Sequence, residues 1–278
     1  MIYLDGRKVE IEHFPNGEVR IDAGQLAGES DGILRMHFND DSDLVHLMML
    51  VGHIRQSTPR RSLSLFIDYL PYSRMDRQTK DVFTLRSVAN MINQMEFTQV
   101  ILVEPHSDVS CALIERARAV YPSAGWLLEQ ALELTEFRPE RDVLFFPDAG
   151  AQKRYDSLRT KYRCVSATKH RDTHGGLSEY RINTDESVEK GARILIVDDL
   201  CSFGGTFLLG AQALCDKYDG ISVGLVVTHL ENSIYQGKLL SSGLVDLVVA
   251  TNSICEEPRH EMVHLYDVVT QRPVGGAA

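Results

Sequence analysis

No apolar run in the sequence approaches the roughly 20 residues needed to cross a bilayer. Stretches such as Ile194 to Val197 and Leu244 to Ala250 are broken well short of it, so a membrane span is not expected. Cysteine is sparse. The five at 111, 164, 201, 215 and 255 form no Cys-x-x-Cys pair and leave an odd one over, which suits reduced thiols better than disulfides or a zinc site. Basic charge is in deficit: 29 Lys and Arg stand against 39 Asp and Glu, a net charge of −10. That balance argues against a general nucleic-acid or membrane-surface binder, and any polyanionic ligand has to meet a local basic pocket. Low-complexity sequence is absent apart from the Gly-Gly-Ala-Ala tail. The start, Met1-Ile2-Tyr3-Leu4-Asp5, lacks the basic and long apolar parts of a signal peptide, and a cytoplasmic protein is expected.

What is present is ordinary globular composition, 44% hydrophobic and 24% charged over 278 residues, enough for one large or two medium domains. Short β segments are expected at Met1 to Leu4, Val9 to Phe14 and Ile33 to Phe38. From Leu44 the apolar positions 44, 47, 48, 51 and 54 make a helical stripe, with Asp41, Ser42 and Asp43 available as caps. Leu63 to Ile67 reads as a strand, Pro71 to Val82 as a polar loop, Leu85 to Met95 as a helix and Val100 to Val103 as a strand. The pattern recurs after about residue 140, with strands at 143–146, 163–166, 193–197, 221–227 and 245–250. Alternation of this kind calls for parallel sheets covered by helices. The expectation is an α/β protein of two similar halves, residues 1–140 and 141–278, packed without a flexible linker.

The most informative stretch runs from Arg193 to Leu208. A hydrophobic strand ends in Asp198 and Asp199, passes through Ser202-Phe203-Gly204-Gly205-Thr206 and enters a helix. Glycines let backbone N–H groups turn inward, Ser202 and Thr206 add hydroxyls, and a helix start adds its positive dipole, which together make an anion cradle. The acids cannot bind phosphate; a carboxylate suits sugar hydroxyls or Mg²⁺. An ordinary strand-to-helix turn with a capping Ser is the plain alternative.

The whole string resembles the phosphoribosyl diphosphate (PRPP) signature of type I phosphoribosyltransferase folds. Four further segments are similar, in order and rough spacing, to those of ribose-phosphate pyrophosphokinases (PRPP synthetases): Phe14 to Val19, Pro71 to Arg77, Pro147 to Arg154 and Lys169-His170-Arg171. The resemblance covers about residues 9 to 268, with Val88-Ala89-Asn90-Met91 and Thr228-His229 also on it. It implies two type I phosphoribosyltransferase-like halves with an N-terminal β-hairpin, and transfer of the β,γ-diphosphoryl group of MgATP to an anomeric hydroxyl with release of AMP. Phe14, Asn16 and Glu18 would hold adenine, with a core ring as the alternative for Phe14. Arg74, Asp76 and Arg77 would meet the ATP phosphates. His106 and Asp148 would serve Mg²⁺. Lys169 and Arg171 would be the catalytic cations, with His174-Gly175-Gly176 as a hinge. Asp198, Asp199, Ser202, Phe203, Gly204, Gly205 and Thr206 would hold the ribose-phosphate acceptor. The resemblance also implies a homo-oligomer with sites shared between subunits.

The chain departs from the family pattern in places. Ser202-Phe203 stands where Asp-Thr is usual, so an acid is lost and a bulky ring enters the 5-phosphate loop. Glu104-Pro105-His106 replaces Asp-Leu-His, Met75 replaces Gln, and Leu230-Glu231-Asn232 replaces a more apolar run. ADP-ribose, whose 5-phosphate is esterified, is therefore an alternative acceptor to ribose 5-phosphate; some phage-encoded relatives make ADP-ribose diphosphate for rebuilding NAD. A phosphoribosyltransferase and a catalytically silent regulatory subunit are the remaining rivals.

Overall fold

The computed structural model describes residues 1–28, 31–171, 177–183 and 187–275, leaving aside the side chains of 169–171 and 177–180. Two compact units divide between Val120 and Tyr121. That division precedes the 140/141 boundary read from the sequence. The physical reason is that Leu127, Leu128 and Ala131 pack into one cluster with Phe146, Tyr155, Val249 and Tyr266 of the second unit.

The first unit contains β1 (Ile2–Leu4), β2 (Arg7–Lys8), β3 (Glu12–His13), β4 (Val19–Arg20), β5 (Gly32–Met36), α1 (Ser42–Ser57), β6 (Leu63–Ile67), α2 (Thr84–Gln94), β7 (Gln99–Val103), α3 (Asp108–Leu113) and β8 (Ala117–Val120). Its main sheet has the order β2-β1-β5-β6-β7-β8, in which β5 to β8 are parallel and β1 and β2 antiparallel. α1 buries Leu44, Leu47, Leu50, Val51 and Ile54. Met48, expected on the same stripe, is exposed. Asp41 takes the cap position without a side-chain bond to the helix backbone. The expected strand from Val9 to Phe14 shrinks to the two-residue β3, which pairs only with β4. Pro15 has no N–H to continue a ladder, and Gly17, at φ +87°, turns the chain back.

The second unit contains α4 (Trp126–Leu134), β9 (Val143–Phe146), α5 (Ala149–Arg154), β10 (Cys164–Arg171), β11 (Leu177–Asn183), β12 (Arg193–Cys201), α6 (Gly205–Lys217), β13 (Ser222–Leu230), β14 (Leu247–Thr251) and β15 (Val263–Tyr266). The sheet order is β11-β10-β9-β12-β13-β14-β15, and only β11 runs antiparallel to its neighbour. Alternate residues serve opposite faces. Val143, Phe145, Ile194 and Ile196 enter one apolar cluster, whereas Leu144, Phe146, Leu195 and Val197 enter the other. Both faces are therefore covered, which is why these strands read as unbroken apolar runs. β10 extends past the expected Ser166 to Arg171 because β11 pairs with it. No helix among the described residues is long and apolar enough to cross a membrane.

Candidate active site

In a parallel sheet, the loops at the carboxyl ends of two neighbouring strands diverge where the strand order reverses, and the crevice left there receives ligands. In the second unit this point lies between β9 and β12. From β9 the chain moves through α5 to β10 on one side; from β12 it moves through α6 to β13 on the other. Asp148 follows β9, and Asp198 and Asp199 lie near the end of β12. Topology thus gathers three carboxylates from segments 50 residues apart.

Their geometry is specific. Asp148 caps α5, its Oδ1 accepting the Ala151 N–H at 3.0 Å. α5 carries Arg154 in its last turn, and the Arg154 guanidinium reaches Asp199 Oδ1 at 2.9 Å and Asp198 Oδ1 at 3.8 Å. Burial by itself would lower the Arg154 pKa, but Asp199, Tyr155 and Asp198 more than offset it and the pKa is raised. Asp198 shows the opposite strain. Burial first, then the carboxylates of Asp199 and Asp148, push its pKa well above the ordinary 3.8. Arg154 is part of this geometry, although sequence reasoning left it without a role inside a segment it singled out. Its meeting with Asp199 depends on β9 lying beside β12.

Beyond the acids, Gly204 adopts φ +81° and Gly205 opens α6, whose first turn closes through the Leu208 N–H to the Gly204 carbonyl at 2.9 Å. A β-carbon at Gly204 would lie 2.8 Å from Leu239 Cβ, so both space and backbone conformation require glycine. No acid occupies the first turn of α6. Its early N–H groups lack intrahelical partners by helix geometry, and the cradle expected at 202–206 has the right ingredients. Ser202 Oγ lies 3.0 Å from Ser233 Oγ, which in turn donates to Glu231 Oε2 at 3.1 Å. Phe203 is 55% exposed, so its ring is not a core element. Its backbone is fixed instead, because a β-carbon on Gly237 would overlap the Phe203 carbonyl oxygen. Gly237→Ala is expected to displace this loop and cost about 2 kcal/mol, a fall of roughly 5 °C in a thermal melt of a unit this size. An unchanged melting temperature would show that the contact yields freely.

Lys169 and Arg171 lie on β10, whose register with β11 shifts between His170 and Arg171. Their side chains, and the whole of His174-Gly175-Gly176, lie outside the described residues.

In the first unit, Phe14 is 49% exposed and so is no core ring. The Phe14 N–H donates to the Glu18 carbonyl at 2.8 Å, and the Glu18 N–H donates to Asn16 Oδ1 at 3.1 Å. The three residues expected on adenine therefore share one tight turn. Arg74, Asp76 and Arg77 occupy the loop after β6, and His106 the loop after β7, at the same end of that sheet. Tyr72, at φ +63° and hydrogen-bonded to Asp41, and the buried Ser73 anchor the start of the first loop, while Arg74 and Arg77 are exposed.

Comparison with known proteins places these residues in context. No family model matches the sequence. It is 28% identical over 262 residues to a ribose-phosphate pyrophosphokinase of Sulfurisphaera tokodaii, covering 90% of this chain and 86% of that protein. It is likewise 28% identical over 268 residues to one from Maricaulis maris, covering 92% and 83%. Among solved structures, the phosphoribosylpyrophosphate synthetase from Mycobacterium smegmatis superposes with a TM-score of 0.72 at 18% identity, over 94% of this chain and 86% of that one. That last likeness shows a shared fold.

Proposed function

We propose, for a chain that belongs to the ribose-phosphate pyrophosphokinase family as a divergent member, that it moves the β,γ-diphosphoryl group of ATP onto the anomeric hydroxyl of a ribose 5-phosphate-type acceptor. The observation that carries this reading is the carboxylate pair at the end of β12, held by Arg154 and followed at once by the glycine turn into α6. Carboxylates can accept ribose hydroxyls while the helix start takes the phosphate. In the reaction the anomeric oxygen attacks the β-phosphorus, the bond from that phosphorus to the bridging oxygen breaks, and AMP leaves with that oxygen. Catalysis of this kind is alignment and charge neutralisation. Phe14, Asn16 and Glu18 take the adenine; Arg74, Asp76 and Arg77 take the ATP phosphates. Lys169 and Arg171 neutralise the diphosphoryl group in flight. The enzyme assembles as a homo-oligomer with shared sites.

Mg²⁺ suits the donor set. Two carboxylates, Asp199 and Asp148, crowd Asp198, and their repulsion is the condition a hard cation relieves. Such an ion takes one or two carboxylates and completes its shell with water and phosphate oxygens. Asp148 in the second unit and His106 in the first are each proposed to serve Mg²⁺, and the ion would supply charge neutralisation at the triphosphate.

ADP-ribose is the second acceptor reading, favoured by the exposed Phe203 ring, which is free of the core and can stack on a second adenine. Mass spectrometry of reactions with Mg²⁺, ATP and either acceptor tests both: AMP and an acceptor carrying two added phosphoryl groups are expected. No AMP with either acceptor would favour a silent regulatory subunit. Ser202→Asp combined with Phe203→Thr is expected to shift kcat/KM toward ribose 5-phosphate over ADP-ribose by about tenfold, the size of one modest contact; an unchanged ratio would remove the loop from the specificity argument.

A further inference from the structure

Behind the acidic pair lies a chain of buried hydroxyls that no step above uses. Ser123, on the short turn Pro122–Ala124, lies against β12 and β13. Its Oγ is 3.2 Å from the Asp198 carbonyl oxygen and 2.7 Å from Thr228 Oγ1. The carbonyl can only accept, so in that contact the Ser123 hydroxyl donates to Asp198, and a second hydroxyl contact ties Ser123 to Thr228. Thr228 stands at an irregularity in the sheet. Val227 pairs with Ala250 and His229 with the very next residue, Thr251, which leaves Thr228 as the extra residue of a bulge against β14. The carbonyl of that bulged residue is met by the Thr251 hydroxyl at 2.7 Å and by the Ser253 hydroxyl at 3.3 Å. Ser253 Oγ also lies 2.8 Å from His229 Nδ1. Ser123, Thr228, His229, Thr251 and Ser253 are all fully or almost fully buried.

Bulges at the ends of strands re-aim side chains and are common beside active sites. Here the bulge turns the Thr228 hydroxyl to Ser123, and Ser123 grips the backbone of the residue whose carboxylate is proposed to meet the acceptor. Hydroxyl chains in a dry interior reinforce one another and hold their members in one arrangement. We infer that Ser123 and Thr228 are positioning residues that fix the Asp198-Asp199 turn in the geometry that binds the ribose of the acceptor. The inference rests on the acceptor reading of that turn, and reaches residues 75 and 30 positions away from Asp198 in sequence.

The test is binding rather than turnover. Calorimetric titration of the full chain with ribose 5-phosphate, and separately with ADP-ribose, gives Kd without ATP. Thr228→Val keeps the side chain's shape and removes the hydroxyl; Thr228→Ser keeps the hydroxyl and drops a methyl. Thr228→Val and Ser123→Ala are each expected to weaken binding of the acceptor by roughly tenfold, the scale of a lost buried hydrogen bond, while Thr228→Ser restores most of it. Because the two hydroxyls act in series, the double variant Ser123→Ala/Thr228→Val is expected to lose little more than either alone. In steady-state assays the acceptor KM rises and the ATP KM stays put.

A purely structural role gives a different pattern: melting temperatures fall, but the Kd of the folded fraction does not change. That result overturns the inference, as does failure of the wild type to bind either acceptor. Release of AMP by the wild type is scored separately. If the wild type binds acceptor but releases no AMP, the proposed reaction fails while the loss of affinity in Thr228→Val still supports the positioning role.

Discussion

Arg171→Ala is expected to lower kcat for AMP release about a thousandfold, within the range that single cations contribute to phosphoryl transfer. The group in transit carries the negative charge of two phosphates, and the protein has no covalent chemistry to offer it. Its leverage is placement of positive charge where charge develops. The chain as a whole is acidic, with a net charge of −10, so no diffuse basic field substitutes for a missing cation. Lys169 and Arg171 sit two positions apart at the end of β10, on the strand next to β9 and therefore one strand away from the switch point that holds Asp148 and Asp198. The anchors proposed for the acceptor lie elsewhere, on β12 and the start of α6. For that reason the acceptor Kd is expected to change less than threefold, and the melting temperature hardly at all, while kcat collapses. Arg171→Lys keeps the charge but loses the planar fork and is expected to recover part of the rate. A variant within tenfold of wild-type kcat would show that Arg171 takes no part in the reaction.

How far the sequence reveals this protein depends on which physical signal each part emits. Strands covered on both faces announce themselves: Val143 to Phe146 and Ile194 to Val197 are apolar throughout, and both lie in strands in the structure. β8 and β15 escaped notice. β8 is a half-exposed edge strand with Arg118 in its middle, and β15 is an edge strand with an exposed His264. The division between units falls earlier than the boundary read from the sequence for a related reason. Nothing in Trp126–Leu134 says which sheet its apolar side will cover, and only packing against Phe146 and Tyr266 assigns it. In the site, the acids and the glycine turn were legible because strand, turn and helix start are consecutive. Arg154, Ser123 and Thr228 were not. They meet Asp198 and Asp199 only because β9, β12 and β13 lie side by side, and sheet order is a property of the whole fold. Phe14 shows the converse: an aromatic in a hairpin usually packs inward, and only the two-residue ladder at Glu12–His13 reveals that this turn stands out from the sheet.

Asp198→Asn is expected to abolish acceptor binding and at the same time to stabilise the ligand-free protein. Asp198 is buried, and its carboxyl pKa is raised by that burial and by Asp199 and Asp148. A carboxyl whose folded pKa lies above its unfolded value favours folding in its protonated form. That contribution is fully present below the ordinary value of 3.8 and is lost as pH rises through the higher folded value. At a pH above its ordinary value the buried Asp198 carboxyl therefore destabilises the wild type, a cost that asparagine, a neutral near-isostere, removes. In Mg²⁺-free buffer at pH 8 the variant is expected to melt higher by roughly 2–4 °C per kcal/mol relieved, and the gap is expected to close as the pH is lowered toward 4. Asp199→Asn should behave in the opposite way. Asp199 is the partner of Arg154 at 2.9 Å, and the guanidinium is largely buried. Removing that carboxylate leaves a buried cation poorly compensated, a loss of about 3 kcal/mol. Two neighbouring substitutions of the same chemical kind would then both disable the site while shifting stability in opposite directions. Function here is held at the expense of stability at one residue and in concert with it at the next. If Asp198→Asn melts below the wild type at pH 8, the crowding of carboxylates at the end of β12 is already neutralised in the free protein, and the case for a cation at this site loses its physical basis.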